Sequence, residues 1–336
     1  MSLMRKRTRY SFLLMLALMS ALVVALVLRK AAPPEVARLL PESDAIVYAN
    51  LKPLRAATHF DRSPVNRTPE YQQFIDATGI VPERDLDSVA FALHRMDDPN
   101  GPNGPVGYSE VFEGRFDGER LAHYLASIAT AKESYADHDI FTIRVGDESV
   151  TRPLRITQLG YDTIAASNMP TAEQIHSILD RHRAAASPFS GSSLLSARYR
   201  DVPAFSSAWG IGHIGLPFSE RGAISIFGLQ LPMSEDTTFV ASLRYLGTLH
   251  LRLEQIAPND ADAARATETL TSLLTLMKTV EQAQAQMQPH PATDAAFREL
   301  TDSTKIEQHK DRAVLTANIP LELVKQFASP NPDLQP

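Results

Sequence analysis

Hydrophobic and polar positions divide this chain into one long apolar stretch near its start and a body of short alternating and helical patterns. From Phe12 to Leu28 no residue is charged. At ~1.5 Å rise per residue these ~17 positions give about 26 Å of helix, close to the thickness of a hydrocarbon core. Arg5, Lys6, Arg7 and Arg9 precede the stretch, and Arg29 and Lys30 follow it. The pattern predicts a basic cytoplasmic segment over 1–10 and a transmembrane signal-anchor over 11–28. The positive-inside rule then sends the remainder across the cytoplasmic membrane to the periplasmic or extracellular side. The competing reading is a cleaved signal peptide, cut after Ala25 with Val23 two positions before it. Leu26, Val27 and Leu28 continue the apolar run past that cut and favour the anchor.

Residues 29–43 contain Pro33, Pro34 and Pro41 and read as a stiff juxtamembrane linker. Beyond it, Ala45 to Leu51 alternates as a strand. A helix follows in which Thr68 is the cap, Pro69 the first position and Gly79 the stop, with Tyr71, Phe74 and Ile75 on one side. Val89 to His94 and Glu110 to Phe116 form a hairpin around a Pro/Gly-rich tip over 97–107. Asp117 caps a helix whose Leu121, Tyr124, Leu125, Ile128 and Ala129 recur at helical spacing. Strands are expected at Ile140–Val145, Leu154–Leu159 and Thr163–Ser167. Thr171 and Gln174 have capping-box spacing ahead of a helix carrying Ile175, Ile178 and Leu179.

The small-residue stretch Ser187–Ser196 reads as the crossing from a first unit, 44–186, to a second, 187–336, with a short disordered C-terminal tail. In the second unit, Trp209–Phe218 and Ala223–Leu229 are expected strands, and Thr237–Ile256 is a strand pair turning at Gly247. Asn259 or Asp260 starts the longest helix of the body, with a stripe of Leu270, Leu273, Leu274, Met277, Val280 and Met287. Lys305–His309 and Ala313–Asn318 close as a hairpin, and Pro320 opens a last helix with Leu321, Val324 and Phe327. The fold class expected is α+β, an N-terminal transmembrane helix followed by two related units of largely antiparallel sheet with helices packed on one face.

Charge sharpens this picture. All six basic residues of the first thirty flank the anchor, leaving 27 basic against 39 acidic in the body, a formal charge of −12. Such a body is repelled by phosphate backbones, so nucleic acid is a poor partner. The chain has no Cys, which excludes a disulfide framework, a lipid-modified Cys and a thiol nucleophile.

The segment Val111-Phe-Glu-Gly-Arg-Phe-Asp-Gly-Glu-Arg-Leu121, the turn and strand at His138-Asp-Ile-Phe141 and Tyr161-Asp-Thr-Ile-Ala-Ala-Ser167 before a helix form a recurring pattern. It is similar to large uncharacterised families of single-pass, membrane-anchored bacterial envelope proteins, in which a strand ending in Gly-x-Phe-Asp feeds a helix. Leu40-Pro-Glu-Ser-Asp-Ala-Ile-Val-Tyr-Ala-Asn-Leu51 likewise resembles their first strand after the anchor. The resemblance covers the first two thirds of the chain and implies no activity or functional residue. Gly114 and Asp117 within it are accounted for by backbone geometry and helix capping.

Candidate chemistry fails on context. Gly210-Ile-Gly212-His-Ile-Gly215 spells the dinucleotide fingerprint, but Leu216-Pro217 and the strand-like residues beyond it supply no helix N-terminus for a pyrophosphate, so it reads as a glycine-rich strand. Asp98, Asn100 and Asn103 lack the spacing of a calcium loop and read as a solvated hairpin tip. His176, Asp180 and His182 lie on one helix, yet the two histidines project to different faces. His138 between Asp137 and Asp139 reads as a turn. Asn66-Arg67-Thr68 fits a glycosylation acceptor, although the capping role of Thr68 explains it. The sequence thus assigns no catalytic, cofactor-binding or metal residues. Within the anchor, Ala17, Ala21 and Ala25 recur every four residues and offer a smooth stripe to a second transmembrane helix, though alanine is also simply common in such helices.

The expectation is a noncatalytic envelope protein whose acidic body binds or helps assemble another, unknown envelope component. An exposed apolar patch or groove on a sheet face would go with it. The alternative is an anchored hydrolase with a site of dispersed residues, which calls for a cleft holding a buried carboxylate or His beside a nucleophile.

Overall fold

A computed structural model of the chain describes Met19, residues 32–320 and Leu323; outside the description within that span fall 63–66, 102, 147–150, 185–189, 214–222, 227–228, 233–236, 246 and 288–290. The anchor except Met19, with its Ala17, Ala21 and Ala25 stripe, Asn66, Gly215 and the last helix except Leu323 therefore lie outside the described residues. Among the described residues no helix is long and apolar enough to cross a membrane.

The chain runs through α1 (Glu35–Arg38), β1 (Ala45–Asn50), α2 (Leu51–Thr58), α3 (Pro69–Thr78), α4 (Pro82–Asp85), β2 (Leu86–Arg95) and β3 (Val106–Gly114). Next come α5 (Gly118–Ile128), β4 (Ala131–Tyr135), β5 (His138–Gly146), β6 (Thr151–Gln158), β7 (Thr163–Ser167), α6 (Glu173–Arg183) and α7 (Ser193–Arg198). The remainder is β8 (Ala208–His213), β9 (Ala223–Ile226), β10 (Leu229–Pro232), β11 (Thr238–Tyr245), β12 (Leu249–Ile256), α8 (Asp260–Met287), α9 (Pro291–Ser303), β13 (Lys305–His309) and β14 (Arg312–Ile319).

Twelve strands form a single sheet in the order β13-β14-β12-β11-β8-β1-β2-β3-β7-β6-β5-β4, and β9 and β10 pair with each other. Every pairing is antiparallel. The length of the body allows either two subdomains or one long sheet, and the two units are in fact joined edge to edge in one sheet, β1 against β8 with Val47 opposite Gly210. Read outward from this seam, each half runs through three strands in chain order, interposes helices, and returns so that its last strand lies beside the third.

Local signals set the helix ends. Thr68 Oγ1 accepts from the Tyr71 N–H at 3.3 Å, Asp117 Oδ1 from Arg120 at 3.1 Å and Asn259 Oδ1 from Asp262 at 3.0 Å, each relieving an orphan donor of a first turn. Gly79 ends α3 at φ 74° and Gly247 turns the β11–β12 hairpin at φ 87°. The capping box at Thr171 and Gln174 does not form: Ala172 is the cap of α6 and offers no side-chain bond.

Helices pack on both faces of the sheet, not on one. The first face carries Ile46, Tyr48, Val111, Ala165, Trp209, Ile211 and Val240, closed over by α1, α6 and α7 through Val36, Leu40, Ile175, Ile178, Leu179 and Leu195. On the second face Phe141, Ile164 and Ile156 pack with Leu121 and Leu125 of α5 and Phe74 of α3. At the opposite end of that face Gln308, level with Ala313, donates to the Asp260 carbonyl at the start of α8. Residues 140 and 141, like 164 and 165, are neighbours in a strand and so point to opposite faces. Between these helical covers the middle of the second face is left uncovered by any described helix.

Candidate functional site

The uncovered region is a groove of about 580 Å³ on the second face, across β2, β1, β8, β11 and β12 to Ile319 at the end of β14. Its shape follows from side-chain size. The innermost strands place Ala45, Ala49, Ala208, Gly210, Gly212 and Ala241 on the floor, while Leu93 stands on one side and Leu243, Leu251, Leu253 and Ile319 on the other. Val47, 38 % exposed, rises from the middle, and Phe239 fills the floor opposite Gly212. Two glycines contribute differently. A Cβ on Gly210 would meet its nearest neighbours at 3.7 and 3.8 Å, ordinary contacts, so Gly210 simply keeps the floor low. A Cβ on Gly212 would press against Ala45, 2.6 Å from its Cα, and lie 2.8 Å from the Asp44 carbonyl oxygen, so Gly212 is what lets β1 and β8 approach.

The middle of the groove is apolar, and Tyr245 and Gln255 share its face at the margins, opposite Leu249 and Phe239. Across the registers from β2 to β14, side chains on this face over Ala45–Ala49, Val89–Leu93, Ala208–Gly212, Phe239–Leu243, Leu249–Leu253 and Leu315–Ile319 include no polar group. The backbone offers nothing either, because each of these strands is paired on both sides. One strand beyond the groove wall, Glu110 faces the same side as its cross-strand partner Phe91. Burial pushes its carboxyl up to about 7, and among the described residues it makes no hydrogen bond.

The first face holds a buried polar chain. His94 Nε2 lies 3.2 Å from Ser109 Oγ, which lies 3.0 Å from Ser167 Oγ. Burial lowers the His94 pKa below its ordinary value. Both serines are fully buried, so this pair, although it has the composition of a base and a nucleophile, faces the core and not a cleft. No carboxylate hydrogen-bonds His94 among the described residues.

Of the residues singled out from sequence, Asn103, expected at a solvated tip, is buried. Gly210 and Gly212 lie in strand β8, with no phosphate-holding helix after it among the described residues. Asp98 Oδ1 accepts from Asn100 N–H in a turn, but Asn103 points away and donates to the Asn168 carbonyl. His176 bonds Glu133 at 2.6 Å and stacks on Tyr135, which bonds Asp180. His182 meets His138 edge to face, and His138 bonds the Gln158 carbonyl at 2.9 Å. No group of three or more His, Asp and Glu among the described residues is placed to hold a metal ion. The sequence leads one to expect an exposed apolar patch or groove on a sheet face without placing it, though a signal for its place exists: Ala45-Ile-Val-Tyr-Ala49 and Val89-Ala-Phe-Ala-Leu93 are apolar at every position.

No family model and no curated protein matches the chain. It overlaps with solved structures of TP0453: crystal form III at a TM-score of 0.47 and 9 % identity, over 89 % of this chain and 99 % of that one, and crystal form IV at 0.45 and 10 %, over 89 % and 97 %. Overlap at that level assigns neither a fold family nor an activity.

Proposed function

We propose that the chain is a noncatalytic, single-pass envelope protein, tethered by Phe12–Leu28 to the cytoplasmic membrane, whose exported body takes a hydrocarbon chain of a membrane lipid into the second-face groove. The observation that carries this is a concave sheet face whose central positions are all apolar across six strands, with Tyr245 and Gln255 only at its margins. A folded monomer ordinarily solvates such a face or covers it. An extended peptide seated there would lose its water hydrogen bonds and find no partner, since the strands beneath are fully paired. An acyl chain has no such groups to satisfy. The volume lies within the range of small-ligand pockets. Burial of about ten methylenes at ~0.8 kcal/mol each gives about 8 kcal/mol gross, and association costs of at least ~4 kcal/mol reduce that to weak, exchangeable binding. That strength suits a carrier or a sensor of lipid.

The test is transfer of a parinaroyl-labelled phosphatidylcholine from vesicles to the full-length protein in detergent, followed by fluorescence. Wild-type protein should saturate near one chain per molecule. Val47→Asp, at an already exposed position, should keep its thermal stability and lose at least tenfold in affinity. Equal binding by wild type and V47D would overturn the proposal.

A further inference from the structure

On the first face, at the loop end of the β2–β3 hairpin, two methionine sulfurs converge on Gly107. A Cβ built on Gly107 would collide with Met169 Sδ and lie 2.9 Å from Met96 Sδ and 3.6 Å from Asn168 Oδ1. The two thioethers therefore share one small space above a residue that has no side chain to fill it. His94 is the cross-strand partner of Gly107 on that same face, and directly opposed residues have Cβ positions only about 5 Å apart.

The hydrogen-bond chain fixes which imidazole nitrogen is free. Ser167 Oγ donates to the Tyr108 carbonyl at 3.3 Å and accepts from the Met169 N–H at 3.3 Å. Ser109 Oγ therefore donates to Ser167, and His94 Nε2–H donates to Ser109. Nδ1 keeps a bare lone pair and has no hydrogen bond among the described residues. A histidine whose other nitrogen is held by a hydrogen bond is the usual form of an imidazole ligand. His94 is buried, whereas Met96 and Met169 are each half-buried, which leaves an approach for an ion from the hairpin side.

We propose that Met96, Met169 and His94 form a site for a soft monovalent cation, Cu(I). The donor set decides the metal. Thioethers are soft, polarizable ligands that select Cu(I), and none of the three groups carries charge to offset a divalent ion. Calcium and magnesium take oxygen ligands, and structural zinc takes thiolates with imidazoles. This inference is independent of the lipid groove, which lies on the other face.

The experiment is an anaerobic titration of the full-length protein with Cu(I) against a chromogenic chelator, with methyl-labelled methionine spectra recorded alongside. One equivalent should be retained, and of the nine methionines the methyl signals of Met96 and Met169 should shift while the others stay. Met96→Leu and Met169→Leu conserve volume and should each weaken binding at least tenfold, the double variant abolishing it. Gly107→Ala, which removes no donor but occupies the shared space, should weaken it similarly. Failure of wild type to retain Cu(I), or unchanged retention by the double variant, overturns the site and shows that the sulfurs only pack.

Discussion

Replacing Gly212 by Ala tests the seam between the two halves of the sheet. The added Cβ would lie 2.6 Å from Ala45 Cα and 2.8 Å from the Asp44 carbonyl oxygen. These are backbone atoms of a strand paired on both sides, so neither can rotate away. Overpacking of this kind costs roughly 1–3 kcal/mol, and the upper end applies because β1 and β8 must separate together. The smaller conformational freedom of Ala in the unfolded chain offsets about 0.5 kcal/mol, leaving a net loss of about 2.5 kcal/mol. Gly210→Ala, two residues away with its nearest contacts at 3.7 and 3.8 Å, meets no such obstacle and should be neutral or stabilising by about 0.5 kcal/mol. Urea unfolding of both variants, fitted with a common slope, gives the difference directly. A Gly212→Ala protein within 0.5 kcal/mol (about the error of such a fit) of Gly210→Ala would refute the close approach as the reason for the glycine.

Other outcomes follow from individual groups. Glu110 has a folded-state pKa raised from 4.5 to about 7 by burial, so the folded protein holds a proton the unfolded chain releases, and stability falls as pH rises between those values. Glu110→Gln should flatten that fall by about 2–3 kcal/mol, seen by comparing urea midpoints of both proteins at pH 5 and pH 8. Arg312 bonds Glu254 at 2.8 Å and Asp201 at 3.0 Å; Arg312→Ala leaves Glu254 with Arg252 at 2.7 Å and Asp201 with Arg198 at 3.8 Å, and should cost about 1–3 kcal/mol by denaturation. Thr68→Ala removes the cap of α3 and should cost about 1 kcal/mol by the same measurement.

Where residues carry their own geometry, sequence reading and structure coincide. Thr68-Pro69 and Gly79 delimit α3, Asp117 starts α5, and Gly247 splits the β11–β12 hairpin, because capping and left-handed turns depend on neighbours along the chain. β4 escaped notice since Ala131-Lys-Glu-Ser-Tyr135 is an edge strand exposed at nearly every position, with no apolar alternation to read. α7 and α9 were also missed; α7 lies in a small-residue stretch that reads as a linker. Val280, part of the apolar stripe of α8, is 46 % exposed. The groove became visible only with register. Its floor combines Ala45, Gly210 and Ala241 from three strands far apart in the chain, and no local window contains that pattern.

The β1–β8 pairing also bears on how the molecule comes together in time. Most other neighbours in the sheet join strands linked by hairpins or short excursions, whereas β1 and β8 meet across about 160 intervening residues, a closure that is entropically slow. Each half can therefore zip up first, leaving two greasy, glycine- and alanine-rich edges waiting for each other. Until they meet, those edges are the part of the polypeptide most exposed to mispairing.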